Sequence, residues 1–350
     1  MDPDVAAMLR GRPAPVDYRI SPIARARAVV ENRVHQAGPS MHEVADHHIA
    51  GAHGDFLVRV YKPDAAPHRP GILYFHGGGM VVGSVDSFDG FARTLARATD
   101  AVVVSVDYHL APEHPYPVAT DEAFEALTWL MANARRLGVD PTRIAVVGDS
   151  AGGTITAGLT LRWRDSNGTP PVRAQALLYP GVDEGFDYPS AIEFEHGPVL
   201  TLNNARWMRE QYLGEDTSMV SVYAIPSRAA DLGGLPPTIV FTAELDLIRD
   251  SGEAFAARLR EAVGASGAVV DVSDARVGYA VAGPDAVRLL SKGCGLDLHP
   301  RVFPAGRSAL TAFAQLHTLI VKRDEAPTFH LYVARSVQRH LEAWFQAAGA

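Results

Sequence analysis

The sequence predicts an α/β fold built on a mostly parallel sheet. From residue 56 onwards, short apolar and β-branched runs recur along the chain, and helix-like segments separate most of them. Strands of this kind are buried on both faces, which is typical of a doubly wound sheet. One run leads directly into a serine flanked by glycines, at the carboxyl end where such sheets bind ligands. These observations place the candidate site at that edge of the sheet.

The apolar periodicity predicts the individual elements of this sheet. The expected strands lie at 56–62, 71–76, 101–108, 143–149, 174–180 and 238–244. The expected helices lie at 88–99, 120–137, 154–164 and 251–262. Residues 1–50 are expected to form N-terminal cap helices, around 5–10 and 21–34, whose alanines and arginines suit amphipathic surface helices. We expect residues 51–350 to form one catalytic domain.

Composition excludes several classes of protein. The net charge is −8, and the sequence contains no basic patch. Both observations argue against a nucleic-acid partner. Cys294 is the single cysteine, so a disulfide framework is impossible and a reducing cytoplasm is permitted. The N-terminus has no apolar core of the kind a signal peptide needs, and no apolar run approaches the ~20 residues that span a bilayer. We therefore expect a cytoplasmic protein with no membrane partner.

The strongest motif is Gly148-Asp149-Ser150-Ala151-Gly152, between a predicted strand and a predicted helix. This context is that of a nucleophile elbow, in which a sharp turn exposes a serine hydroxyl. The following helix directs its first N–H groups at a developing oxyanion. The alternative interpretation is an ordinary glycine-rich turn. The motif and its context together favour Ser150 as a nucleophile.

A second motif, His76-Gly77-Gly78-Gly79, follows the predicted strand at 71–76. Three residues without side chains allow main-chain N–H groups to face a reacting oxygen. Gly77, Gly78 and the N–H of Ala151 are the expected donors of an oxyanion hole. His76 has two interpretations, a general base or a residue that packs beside the loop, and its position upstream of the serine favours packing.

An acidic residue follows the predicted strand at 238–244. Asp246 comes after the serine in the chain order that the elbow motif implies, and a carboxylate there would orient a histidine. The alternative role is a helix N-cap, for which Asp250 and Ser251 are better placed. Glu244 is the nearest rival. Asp246 is therefore the expected acidic member of a catalytic triad.

These motifs together resemble the hormone-sensitive-lipase-like family of α/β-hydrolases, which includes bacterial carboxylesterases. The resemblance runs through the stretches at 76–80, 107–119, 148–153, 177–183 and 235–261 and through the N-terminal helices. It implies an α/β-hydrolase fold with Ser150 as nucleophile and a helical cap made from the N-terminus and residues near 193–214. We assign substrate binding to Gly79, Asp149, Trp207 and Tyr212, although Trp207, Met208 and Tyr212 could equally form the core of the cap.

The family's histidine has no clear counterpart in this chain. Family members place it just after the last strand, for which 301–306 is the expected match, and Ser308 then stands where the histidine should be. Serine cannot replace imidazole as a base near neutral pH. Of four later histidines, His299 precedes that strand, while His330 and His340 fall in a predicted last helix at 329–345. His317 is the remaining substitute, and it requires the loop after the strand to bring it back to Ser150.

The stretch near 263–296 adds about thirty residues where a short loop is typical, and we interpret it as an insertion. Three functions remain open: a serine esterase with a displaced base, a ligand-binding degenerate hydrolase similar to the plant gibberellin receptors, and a non-hydrolytic reaction such as acyl transfer, cyclisation or elimination. A small-molecule ester is the expected partner, with no cofactor and no metal, since His47 and His48 lack ligands at metal spacing. In this family the last strand and helix are common dimer surfaces, so a homodimer is an open expectation.

Overall fold

A computed structural model describes residues 17–21, 23–33, 38–197, 199–263, 276–322 and 325–349. Its contacts divide the chain into two compact units, residues 1–267 and residues 268–350. This division differs from the single domain expected over 51–350. The predicted insertion near 263–296 spans the boundary, so its described part belongs to the start of the second unit and not to a loop of the first.

The first unit is built on a sheet of seven strands in its described part. In chain order the elements are α1 (Ile23–Arg33), β1 (Glu43–Gly51), β2 (Gly54–Lys62), β3 (Arg69–Phe75), α2 (Asp89–Thr99), β4 (Val102–Asp107), α3 (Val118–Asn133), β5 (Val139–Asp149), α4 (Ala151–Asn167), β6 (Ala174–Leu178), α5 (Pro189–Glu193), α6 (Leu202–Leu213), β7 (Thr238–Phe241) and α7 (Arg249–Val263). All six predicted strands and all four predicted helices of this region are present.

The strand order is β1-β2-β4-β3-β5-β6-β7. Strands β4, β3, β5, β6 and β7 are parallel neighbours, whereas β1 and β2 pair antiparallel at one edge. Buried valine, leucine and aromatic side chains of β3, β4 and β5 form the centre of the core, which explains why these strands read as continuous apolar runs. The topology places the carboxyl ends of β3, β5 and β6 side by side.

The N-terminal prediction is partly wrong. Helix α1 occurs within the predicted piece at 21–34, and the predicted piece at 5–10 lies outside the described residues. Residues 43–51, expected within the cap segment, form strand β1 instead. Most side chains of β1 are exposed or half-buried, because it is an edge strand that packs one residue in two against the unit. Its sequence therefore carries little apolar signal.

The second unit is a four-stranded antiparallel sheet with its own core. Its elements are β8 (Arg276–Ala282), α8 (Ala286–Ser291), β9 (Ser308–Phe313), β10 (Leu316–Val321), β11 (Thr328–Ala334) and α9 (Gln338–Gly349), and the strand order is β8-β11-β10-β9. Phe313, Phe329, Leu331 and Leu341 are fully buried together. None of the described strands of this unit joins the seven-stranded sheet.

Two predictions for this unit are wrong. Residues 301–306, expected to be the last strand of the hydrolase sheet, form turns, and Ser308 begins β9 opposite Val321. The helix expected over 329–345 is half strand: Phe329, Leu331 and Val333 are buried alternately on β11, and α9 starts only at Gln338. Ser308 therefore does not follow a strand of the parallel sheet.

Candidate active site

Ser150 lies on the sharp turn between β5 and α4. Its φ of 52° and ψ of −118° are unusual for a residue with a side chain, and its main-chain N–H donates to Leu178 O at 2.8 Å. Gly152 permits the turn, because a Cβ atom there would lie 1.9 Å from Phe75 O. Helix α4 can therefore begin directly against the end of β3. This is the strand–turn–helix geometry expected of a nucleophile elbow.

The glycine loop after β3 turns back on itself beside Ser150. Gly78 has a φ of 122°, and its carbonyl accepts hydrogen bonds from the N–H groups of Val81 and Val82 at 3.1 and 3.0 Å. A Cβ atom on Gly78 would lie 1.9 Å from Val82 O, so a side chain there is excluded. No described residue accepts a hydrogen bond from the N–H groups of Gly78 and Gly79. Both are thus available to a ligand.

Gly77 differs from its two neighbours and corrects one expectation. Its N–H donates to Asp149 Oδ1 at 3.0 Å, and Tyr74 Oη donates to the same oxygen at 2.7 Å. The expected oxyanion donor at Gly77 is therefore already occupied. Burial raises the pKa of Asp149 to about 6, although both hydrogen bonds oppose the shift. This carboxyl group lines the cavity and ties the end of β5 to the glycine loop.

His76 packs behind the glycine loop. Its ring stacks between Tyr108 and Phe88, with centroids 4.4 and 5.2 Å away, and its Nδ1 donates to Gly77 O at 2.7 Å. Complete burial lowers the pKa of His76 to about 4, so the imidazole is neutral near pH 7. His76 does not line the cavity that contains Ser150. The packing interpretation of His76 fits this position, and the general-base interpretation does not.

Asp246 lies five residues beyond the end of β7 and lines the same cavity as Ser150. Its Oδ1 accepts a hydrogen bond from Ile248 N at 3.1 Å, and burial raises its pKa. Glu244 is exposed and does not line the cavity, which favours Asp246 of the two. Asp250 lies inside α7, where its carboxylate accepts from Ser190 N at 2.9 Å, so it is not the predicted N-cap.

A cavity of about 550 Å³ joins these groups. Its described wall includes the predicted site residues Gly77, Gly78, Gly79, Asp149, Ser150, Ala151, Tyr212 and Asp246. Trp207 is not part of this wall and packs instead on Tyr18, with ring centroids 5.8 Å apart. Tyr179, Asp183 and Arg209 also line the cavity, and the sequence interpretation missed all three. Arg209 had a usable signal, since it stands three residues before Tyr212 on one helix face.

No histidine is among the described residues that line the cavity. His317, the predicted substitute base, is not in a loop: it is an exposed residue of β10, paired with Ala312 of β9 in the second unit. His330 lies on β11 and His340 on α9, where its Nε2 contacts Ala314 O at 3.3 Å. Ser150, the glycine loop and Asp246 thus line one cavity, and the described part of its wall contains no imidazole.

Comparison with known proteins fits this arrangement. Residues 72–275 match a family described by its alpha/beta hydrolase fold. The chain belongs to the α/β-hydrolase family. Esterase LipI of Mycobacterium tuberculosis is 40% identical over 260 residues, which are 71% of this chain and 80% of that protein. Carboxylesterase NlhH of the same organism is 39% identical over 250 residues, 68% of this chain and 76% of that protein. The resemblance to the hormone-sensitive-lipase-like carboxylesterases is confirmed.

Solved structures show the same relationship for this hydrolase. An esterase from Pyrobaculum calidifontis superposes with a TM-score of 0.69 at 37% identity, covering 75% of this chain and 86% of that one. A bacterial heroin esterase gives a TM-score of 0.70 at 37% identity, covering 75% and 85%. The expected α/β-hydrolase fold is therefore confirmed, and the chain is a carboxylesterase-like serine hydrolase by family.

The C-terminal part has a different relative. Residues 234–350 match the gamma subunit family of sarcosine oxidase. The match to the hydrolase family stops at residue 275, before Ser308 and His317. The two matches overlap around helix α7, close to the division between the two compact units. The second unit, which carries His317, therefore lies within a stretch that is similar to a family other than the hydrolases.

Proposed function

We propose that the first unit is a serine carboxylesterase that acts on small esters through an acyl-enzyme on Ser150. The observation that carries this proposal is the strained elbow at Ser150, which lines one cavity with Gly78 and Gly79, whose N–H groups have no acceptor among the described residues. Attack of Ser150 Oγ on the ester carbonyl would develop negative charge on the carbonyl oxygen. The N–H groups of Gly78, Gly79 and Ala151 would stabilise that charge, and the alcohol would leave.

The general base of this reaction has no histidine counterpart among the described residues of the cavity wall. His317 stays our sequence-based prediction, and Asp246 is the proposed acidic partner that would hold an imidazole beside Ser150. Removing the base of a serine hydrolase costs orders of magnitude in rate, yet the oxyanion hole and substrate binding retain some acceleration over water. Acylation by an activated ester needs less help from a base than hydrolysis of the acyl-enzyme. We therefore expect acylation to outpace deacylation.

The test is rapid-mixing kinetics with p-nitrophenyl acetate and butyrate, together with mass spectrometry of the intact protein. The expected result is a burst of about one nitrophenolate per chain and one acyl group on the protein, followed by slow turnover. Ser150→Ala should abolish both signals. If Ser150→Ala keeps the parent's rate, the proposed function is wrong. Loss of slow turnover in His317→Ala would identify the base, and unchanged turnover would exclude His317.

A second candidate is a degenerate hydrolase that binds a small ligand without turnover. The absence of histidine from the described cavity wall favours it. Added imidazole separates the two functions, because a small diffusible base can replace a missing side chain if the rest of the site is competent. Faster deacylation in imidazole supports the esterase. A parent protein that is never acylated, with or without imidazole, supports the binding function.

For the second unit we propose a role as a subunit-type module that associates with other chains. Its similarity to a gamma subunit family supports this role, and so does the exposure of Leu310, at 66%, on strand β9. Mixing the full chain with the remaining subunits of a sarcosine oxidase should give co-elution on a sizing column. Leu310→Glu should weaken that complex. Separate elution of the parent chain would contradict the role.

A further inference from the structure

Arg209 is a cationic side chain in the wall of the Ser150 cavity. Among the described lining residues it is the one arginine, lysine or histidine. Its Nη1 donates to the main-chain oxygen of Glu184 at 2.7 Å. Its Nε is shielded from solvent and has no hydrogen-bond partner among the described atoms. A buried donor without an acceptor is unfavourable, and for a charged group the penalty is larger. The guanidinium is therefore incompletely satisfied.

The neighbouring acidic groups are already occupied. The carboxylate of Glu184 accepts from Arg228 Nε at 2.7 Å, and Asp183 Oδ2 accepts from Tyr188 Oη at 2.7 Å. In the described part of the chain, no carboxylate lies within 4.0 Å of the guanidinium nitrogens of Arg209. Arg228, by contrast, is neutralised by Glu184. Arg209 thus carries a positive charge into the cavity without an ion-pair partner.

The apolar residues of the cavity wall strengthen the electrostatic interactions of Arg209. Met208, Leu213, Phe186 and Leu200 line the same cavity and are apolar. A charge–charge interaction is stronger in such surroundings than in water, because the local dielectric response is weaker. A guanidinium is always charged near neutral pH and forms strong, directional hydrogen bonds to carboxylates. The cavity wall therefore combines an apolar surface with a cationic group that suits an anion.

From this arrangement we propose that Arg209 binds an anionic group, most simply a carboxylate, on the substrate. The cavity would then select esters that carry a negative charge remote from the ester bond, a substrate class that rests on the proposed esterase function. Asp149, Asp183 and Asp246 lie in the wall of the same cavity, and an ionised carboxylate on any of them repels an anion. The charged group must accordingly lie at Arg209, while the ester carbonyl lies at Ser150. The carboxylate can belong to the acyl part or to the alcohol part.

Paired substrates test the proposal. Mono-p-nitrophenyl glutarate carries the charge on the acyl side and is compared with p-nitrophenyl butyrate. Then 4-acetoxybenzoate carries it on the alcohol side and is compared with phenyl acetate. In Arg209→Met, the second-order rate constant for acylation should fall about 10- to 100-fold more for a charged ester than for its neutral counterpart. The pair that shows the larger difference identifies the side that Arg209 contacts.

Two further variants control for effects on folding. Arg209→Lys keeps the charge but loses the planar fork, so its selectivity should lie between those of the parent and Arg209→Met. Arg206→Met removes an exposed arginine of the same helix that does not line the cavity, and it should leave both substrate classes unchanged. Equal losses for charged and neutral esters in Arg209→Met would overturn the proposal, since they would mean only a structural role.

A binding measurement separates this proposal from the esterase function. In Ser150→Ala, monomethyl glutarate and methyl butyrate are titrated and followed by NMR. Preferential binding of the anionic ester, lost in the double variant with Arg209→Met, supports the anion site even if the parent never turns over. If Ser150→Ala binds the neutral ester better, the anion site is refuted. If the parent protein is nevertheless acylated at Ser150, the esterase function still stands.

Discussion

The centre of the hydrolase sheet and its β7 edge differ in how completely they are built. At the centre, β5 lies between β3 and β6, and Phe75 on β3 is fully buried beside the elbow. At the edge, β7 has four residues and one described neighbour, and Phe241 on it is 52% exposed. Ser150 follows the central strand, whereas Asp246 follows the edge strand. Ser150 is thus fixed by the core, whereas the position of Asp246 depends on a short edge strand.

This difference explains the composition of the candidate site. The elbow and the glycine loop need only β3, β5 and α4, all of which are present and buried. The position of a histidine depends on structure beyond β7 and α7, and there the chain continues into the second unit. The elbow and the glycine loop therefore lie within the part of the chain that matches the hydrolase family, and that match ends at residue 275, before Ser308 and His317.

The largest expected effect tests the centre. Gly152→Ala would force a methyl group to 1.9 Å from Phe75 O, a main-chain atom of β3 that cannot move without disturbing the sheet. We expect it to lower the free energy of unfolding by more than about 4 kcal/mol or to prevent folding. Chemical denaturation measures this. Gly181→Ala is the matched control, because its new Cβ would lie 3.7 Å from Thr154 Oγ1, an ordinary contact. Similar stabilities for the two variants would contradict the comparison.

An intermediate effect concerns the charge that links β5 to the glycine loop. Burial gives Asp149 a folded pKa of about 6, above the ordinary aspartate value of 3.8, so the folded protein binds more protons than the unfolded chain between those values. The contribution of Asp149 is therefore most favourable at low pH and is lost as the pH rises through 6. Asp149→Asn has no such dependence. Its stability relative to the parent should increase by about 2 kcal/mol between pH 4 and pH 7.

Denaturation of Asp149→Asn and the parent across that pH range checks the sign. The measured quantity must be the difference between the two proteins, since His76 titrates in the opposite sense: its lowered pKa of about 4 makes the folded state lose stability as the pH falls below 6.5. Both proteins contain His76, so its contribution cancels in the difference. A constant difference between pH 4 and pH 7 would show that Asp149 is not the buried acid we describe.

The smallest expected effect is at the edge. Phe241→Ala should cost about 1 kcal/mol, because half of that side chain is already in water. The same change at Phe75, which is fully buried, should cost about 3–5 kcal/mol. Denaturant titrations of the two variants give the ratio directly. A loss at Phe241 as large as that at Phe75 would mean that the edge of β7 is covered in solution.

The sequence predicted the hydrolase unit well because its buried parallel strands are continuous apolar runs with glycine-rich turns. It failed where the signal was weak or misassigned. Strand β1 was missed because most of its side chains are exposed or half-buried, and 301–306 was taken for a strand because of its match to the last strand of the family. Strand β11 carried a readable signal, the alternation of Phe329, Leu331 and Val333, which a helix would not produce.

The site was predicted in part for a similar reason. Motif and order along the chain located Ser150, the glycine loop and Asp246 in one cavity. They could not reveal that Gly77 donates to Asp149, because that bond joins residues 72 positions apart. Nor could they reveal Arg209. It stands out because the nearby carboxylates bind other side chains, which leaves Arg209 without an ion-pair partner among the described residues. Such properties belong to three-dimensional contacts and have no short sequence pattern.

The dihedral angles of Ser150 have an evolutionary consequence. A side chain at a φ of 52° is strained by about 1–3 kcal/mol, and glycine at this position would relieve the strain. Selection for stability alone would thus favour glycine over serine at this position. The present sequence keeps the hydroxyl against that gradient. A serine at this strained position is therefore expected to be kept for its hydroxyl group, because the backbone alone would be better served by glycine.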